Sequence, residues 1–283
     1  MDHQNKQDGN KEVNLICDGH VHFFPEKLYY AVHDWFSRLG WRIPYRWPPQ
    51  QKKQYLLDAG IKKAFLLAYA HKPDMSLEVN RWIRDFVAPD DFFFPFGCVH
   101  PGDTDLKKVL RVSLQDYGFF GFKLHLLVTG FRANDERLFP IYEAVLEWQK
   151  AVVIHATTYP MPRDNLNVKY IERLLYRYPD LQVMVPHMGF YETEIYAELL
   201  QEYPGLYLDT AFLLENPKFA VPMDTVKEMI LRFPDRIVYG SDFPVLEVPP
   251  LESLESIFRF NLDPAVERKV LWENAHAFLR QHT

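Results

Sequence analysis

Short apolar runs alternate with longer amphipathic stretches along most of this chain. Segments rich in Val, Ile, Leu and Phe occur at 14–23, 63–69, 93–100, 120–126, 152–157, 182–187, 206–210 and 237–242. Helical periodicity fills the intervals at 77–87, 105–117, 139–150, 168–178, 192–202 and 224–233. In the stretch 168–178, Ile171, Leu174, Leu175 and Tyr178 recur at three- and four-residue steps, which makes one apolar stripe to set against a sheet. Pro179 then ends it. Strand–helix alternation of this kind predicts parallel strands joined by helical crossovers. Eight such strands predict a closed (β/α)8 TIM barrel, with extra C-terminal helices at 251–260 and 266–280. Asp263 followed by Pro264 predicts the start of the last one. A longer insertion, 25–62, predicts one helix, an irregular stretch and a second helix around 51–59.

An open doubly wound sheet is the competing architecture. It usually shows a Gly-rich phosphate loop after the first strand. Here that strand ends in Asp18-Gly19-His20-Val21-His22, which offers imidazoles in place of bare backbone.

Composition adds limits. A chain of 283 residues fits one barrel domain, 13–283, behind a polar tail, 1–12, expected to be disordered. A core of that size needs no disulfide or metal to hold it, so a metal here is expected to be functional. The net charge of −6 and the lack of a long Lys/Arg run argue against nucleic acid as a partner. No apolar run reaches the roughly 20 residues that span a bilayer, and no secretory leader is visible, so no membrane partner is expected. Cys17 and Cys98 read as reduced core residues, consistent with a cytoplasmic protein.

The chemistry lies at the ends of the strands. Side chains at i and i+2 share a strand face, so His20 and His22 can address one ion. His155 closes Val152–Ile154, His187 follows Val183–Pro186, and Asp242 closes the run from Ile237. Lys123 and His125 form another same-face pair. Polar residues thus end five apolar strands, and in a barrel those ends meet on one rim, where active sites are built.

In this order, His-x-His, Gly-Phe-Lys-Leu-His, Val-Ile-His, Val-Pro-His-Met-Gly and Tyr-Gly-Ser-Asp-Phe-Pro resemble the amidohydrolase superfamily. The pattern looks closest to the amidohydrolase-related branch that includes aminocarboxymuconate-semialdehyde decarboxylase. The resemblance runs from Asp18 to about Phe278. It implies a divalent metal, most often one Zn²⁺, on His20, His22, His155 and Asp242. It also implies a catalytic imidazole at His187, with Asp242 taking part in catalysis. Lys123 matches the position of a carboxylated lysine in binuclear members; in this branch the lysine is commonly unmodified and the site mononuclear. A homodimer is compatible with the resemblance.

The expected function is metal-dependent hydrolysis of a small amide, ester or lactone through a metal-activated water. Protonated His187 would donate to the leaving group. Two alternatives stand beside it: a metal-dependent non-oxidative decarboxylase of a small carboxylic acid, and a metal-binding barrel without activity. Lys123 or Arg163 would face a departing carboxylate. His125, Tyr159 and Phe23 are further candidates to line the pocket.

Overall fold

The computed structural model describes residues 15–38, 40–157, 163–214 and 221–279. The tail 1–12 and Tyr159 lie outside the described residues. Eight parallel strands follow one another in chain order: β1 (Cys17–Val21), β2 (Lys63–Leu67), β3 (Phe93–Cys98), β4 (Gly121–His125), β5 (Ala151–His155), β6 (Gln182–Val185), β7 (Leu206–Asp209) and β8 (Ile237–Val238). The seam closes between β8 and β1. There Gly19 N donates to Tyr239 O, Asp242 N to His20 O, and His22 N to Phe243 O. The predicted (β/α)8 barrel is the fold.

Two-residue alternation sorts the strand side chains into two layers. Cys17, Phe65, Leu67, Phe96, Ala151, Val153, Met184, Tyr207 and Val238 fill the interior. Their alternates, such as Ala64, Leu66, Phe122, Val152 and Leu208, pack outward beneath the helices. The last helix, Asn274–Leu279, closes the floor: Phe278 lies 5.2 Å from Tyr207 and 6.1 Å from Phe65, ring centre to ring centre. Continued upward, the same parity brings Tyr69, Lys123, His155 and Asp209 to the mouth. β1 would break this order, since Cys17 and the pair His20/His22 differ in parity. Its pairing with β2 shifts register between Asp18 and Val21, and the irregularity turns both imidazoles inward.

The insertion forms α1 (Glu26–Arg38) and α2 (Pro49–Asp58), as its pattern predicted. Asp263 caps the helix Pro264–Arg268 by accepting from Ala265 N. Two predicted helices contain a wider turn, at Val112–Asp116 and Lys269–Glu273. No helix among the described residues is long and apolar enough to cross a membrane.

Two strands stop earlier than their apolar runs predict. β6 ends at Val185 because Pro186 has no N–H for the ladder. His187, Met188, Gly189 and Phe190 then all take positive φ, so His187 stands in a left-handed turn beyond the strand. β8 ends at Val238, and Asp242 sits in the following loop with φ of 58°.

Candidate metal centre

Each imidazole on the seam side is fixed through its Nδ1. His20 donates from Nδ1 to Asp209 Oδ2 at 2.7 Å, and His22 donates from Nδ1 to the Leu67 carbonyl at 2.7 Å. His187 donates from Nδ1 to the Ala211 carbonyl at 2.8 Å. These bonds set the tautomers, so all three Nε2 atoms carry lone pairs. The Nε2 atoms of His20 and His22 are 3.2 Å apart, and Asp242 Oδ1 lies 3.5 and 3.1 Å from them.

Two lone pairs and a carboxylate oxygen held this close repel one another unless a cation lies between them. Ligands about 2.05 Å from a tetrahedral ion are separated by roughly 3.3 Å, which matches the three observed edges. The donor set fits a divalent metal.

Asp209 is a residue the sequence reading missed. Its carboxylate accepts from His20 Nδ1, from His187 N at 2.8 Å and from Ala211 N at 3.0 Å. Burial pushes this carboxyl up, while the two backbone donors and Lys123 oppose that rise. With three donors already on it, Asp209 serves as an anchor behind His20. Its sign in the sequence was a polar residue closing the apolar run Leu206–Leu208.

Asp18 anchors the seam in the same way. It accepts from His20 N, Ser241 N and the Ser241 hydroxyl. Together these bonds hold the loop that carries Asp242.

The other expected residues gather around this set. Lys123 is fully buried with Nζ 3.3 Å from His20 Nε2, and burial pushes its ammonium down. His155 Nδ1 lies 3.3 Å from His187 Nε2, and its ring stacks on His125 at 4.2 Å. His155 therefore borders the compact set of His20, His22 and Asp242 and is not one of its three members. Burial pushes the His187 imidazole down to about 4, so near neutral pH it is a neutral base whose Nε2 faces His155 Nδ1. The donor role expected of a protonated His187 does not suit that environment.

One expected pocket residue lies elsewhere. Phe23 is wholly buried against Phe86 and Phe93 in the helix–sheet layer. Strand alternation explains this: as the neighbour of His22 it points to the opposite face. Arg163 is exposed. Tyr69, not anticipated, does enter the mouth, with its ring 5.6 Å from His22 and 4.5 Å from His125.

Comparisons with known proteins agree with this architecture. A family profile described as "Amidohydrolase" matches residues 17–281. No curated protein sequence matches the chain. Among solved structures, 5-carboxyvanillate decarboxylase from Sphingomonas paucimobilis superposes with a TM-score of 0.72 at 13% identity, over 95% of this chain and 100% of that one. The 2,6-dihydroxybenzoate decarboxylase from Rhizobium gives 0.70 at 17%, over 94% and 98%. A 5-carboxyvanillate decarboxylase from Novosphingobium aromaticivorans, complexed with manganese and 4-hydroxy-3-methoxy-5-nitrobenzoic acid, gives 0.68 at 17%, over 96% and 97%. At these identities the likeness concerns the fold.

Proposed function

The chain belongs to the amidohydrolase family and is an enzyme of that type, and from this premise we propose that it is a metal-dependent, non-oxidative decarboxylase of a small carboxylic acid. His20, His22 and Asp242 would hold one divalent ion, zinc or manganese, with His155 beside them. When bound there, such an ion would supply positive charge for an anionic substrate. Hydrolysis, the first expectation from the sequence, becomes the second reading. Support for the change comes from the decarboxylases that share the fold and from the enclosure of the site.

Enclosure is the observation that carries the proposal. His20 and Lys123 are 0% exposed, and Asp242 is 4% exposed. A localised carboxylate charge is stabilised by water far more than neutral CO₂ is, so a dry site favours the step that moves this charge onto the substrate carbon, where it can spread. Lys123, at 3.3 Å from His20 Nε2, places an amine donor beside the ligands to orient that acid.

In the reaction the bond from carbon to carboxylate breaks and its electron pair stays on the substrate carbon. CO₂ leaves, and a proton joins that carbon. Asp242 takes the proton of the substrate's acid group and returns it to that carbon; neutral His187 orients the substrate from beside the set.

The test uses purified protein loaded with Zn²⁺ or Mn²⁺ and a panel of aromatic and unsaturated carboxylic acids. CO₂ release that disappears on chelation and returns with metal is the expected result. Turnover of amides, esters or lactones with no CO₂ from any acid would transfer the assignment to hydrolysis. Metal binding without turnover of either panel would leave the inactive barrel.

A further inference from the structure

The mouth of the barrel holds a polar pair that the metal and its proton chemistry do not use. Tyr69 follows β2 with the parity of Phe65 and Leu67, and His125 ends β4 opposite His155 in the β4–β5 register. Their rings lie 4.5 Å apart at 56°, and the His125 ring also stacks on His155 at 4.2 Å and 14°. Phe24 meets Tyr69 edge-on at 5.1 Å. Packed on these sides, both rings are held in place.

Their polar atoms are not satisfied in the same way. His125 Nδ1 is buried without a hydrogen-bond partner among the described residues. Neither His125 Nε2 nor the Tyr69 hydroxyl makes a hydrogen bond to any described residue. His125 is also the one partly exposed residue of a cluster whose other histidines are buried. Buried polar groups in folded proteins are nearly always paired, and an unpaired one beside a ligand cluster marks a place where a ligand completes the bonding.

We propose that Tyr69 and His125 form a specificity subsite for a hydroxyl group of the substrate. The Tyr69 O–H donates to the hydroxyl oxygen, and the hydroxyl donates to an imidazole nitrogen of His125. One phenol and one imidazole offer a donor and an acceptor side by side, which matches a hydroxyl group. A second carboxylate would instead need two donors and compensating charge. The inference rests on the decarboxylase reading for the acid group of the substrate, and adds what else that acid carries.

Calorimetric titration of the metal-loaded protein tests it, using benzoate, the 2-, 3- and 4-hydroxybenzoates, and isophthalate as probes. At least one hydroxybenzoate should bind about tenfold more tightly than benzoate. Tyr69→Phe and His125→Leu should each reduce that preference below about threefold while leaving benzoate within about twofold of its starting affinity. Bound metal is measured in every sample. If His125→Leu sheds metal, Tyr69→Phe decides, since it removes one oxygen and keeps the ring.

Equal binding of all probes, binding of none, a preference for isophthalate, or a hydroxyl preference that survives Tyr69→Phe overturns the subsite. CO₂ release from the same samples separates the two readings. A preference abolished by both variants without CO₂ from any acid leaves the subsite and removes decarboxylation. CO₂ release with the preference intact in Tyr69→Phe does the reverse.

Discussion

On the seam side of the rim, His20 donates to Asp209, His22 to a backbone carbonyl, and Asp18 gathers three donors from His20 and Ser241. Across the mouth, Tyr69 and His125 are gripped by aromatic packing, yet among the described residues their polar atoms find no hydrogen-bond partner. Both sides are ordered, but by different forces. Hydrogen bonds fix the tautomer of an imidazole and aim its lone pair, as a metal ligand requires. Packing fixes a ring while leaving its hydrogen-bonding capacity for an incoming molecule. The comparison teaches that a satisfied group and an unsatisfied one in the same cluster have different partners to meet.

The largest effect that would break this contrast belongs to the ligand set. Asp242→Asn should lower turnover by about 10²–10⁴-fold, because in the proposed mechanism it removes a charge from the metal site and the proton carrier together. Steady-state assay at saturating metal checks it; activity within tenfold of the parent would place the chemistry elsewhere.

Next comes the anchor. Asp209→Asn should weaken metal binding by about 10–100-fold while leaving the three direct ligands in place. A competition titration with a chelating dye measures this, and an unchanged affinity would mean that the bond to His20 Nδ1 does nothing for the ion.

A third group sharpens the comparison from outside the site. Lys52 is fully buried with no hydrogen-bond partner among the described residues, its Nζ 3.2 Å from the centre of the Tyr29 ring and 5.4 Å from that of Phe23. Here burial pushes the ammonium down to about 7, opposed by Glu26, so the side chain meets its surroundings by shedding a proton. The folded-state pKa lies below the unfolded value. The penalty is therefore absent above the unfolded pKa and grows as pH falls toward 7. Unfolding free energy should rise by about 2 kcal/mol between pH 7 and 9, and Lys52→Met should flatten that rise. Urea melts across this range check it; the same slope in both proteins would refute the assignment.

The smallest effect is the most discriminating one. His125→Leu should leave metal affinity within about threefold, since no ligand uses His125 as an anchor. The dye titration applied to Asp209→Asn measures it, and a loss as large as that variant's would erase the distinction between the two sides.

Much of this rim was legible in the sequence because it follows from period and parity. Polar residues closing apolar runs pointed to His20, His22, His155 and Asp242 before any fold was known, and the strand–helix alternation implied the barrel that unites their ends. The same rule held Asp209 and Tyr69 in plain view. Their roles depend on which neighbour each meets, a tertiary fact that spacing does not carry. Phe23 shows the rule misapplied, since a residue adjacent to His22 belongs to the other face. The left-handed turn at His187 was not legible beyond the hint of Pro186. Four successive positive φ angles, three of them at residues other than glycine, are imposed by surrounding structure and not by local preference.

The seam has a consequence for the order of events in the cell. His20 and His22 belong to β1, whereas Asp242 and the carbonyl groups of Tyr239 and Phe243 that pair with that strand come from the loop after strand eight. A nascent chain halted before Ile237 owns two imidazoles of the set and lacks its acid, so the ion has no complete cage to enter. An ion held as proposed would therefore be caged only after the last strand has closed the barrel onto the first.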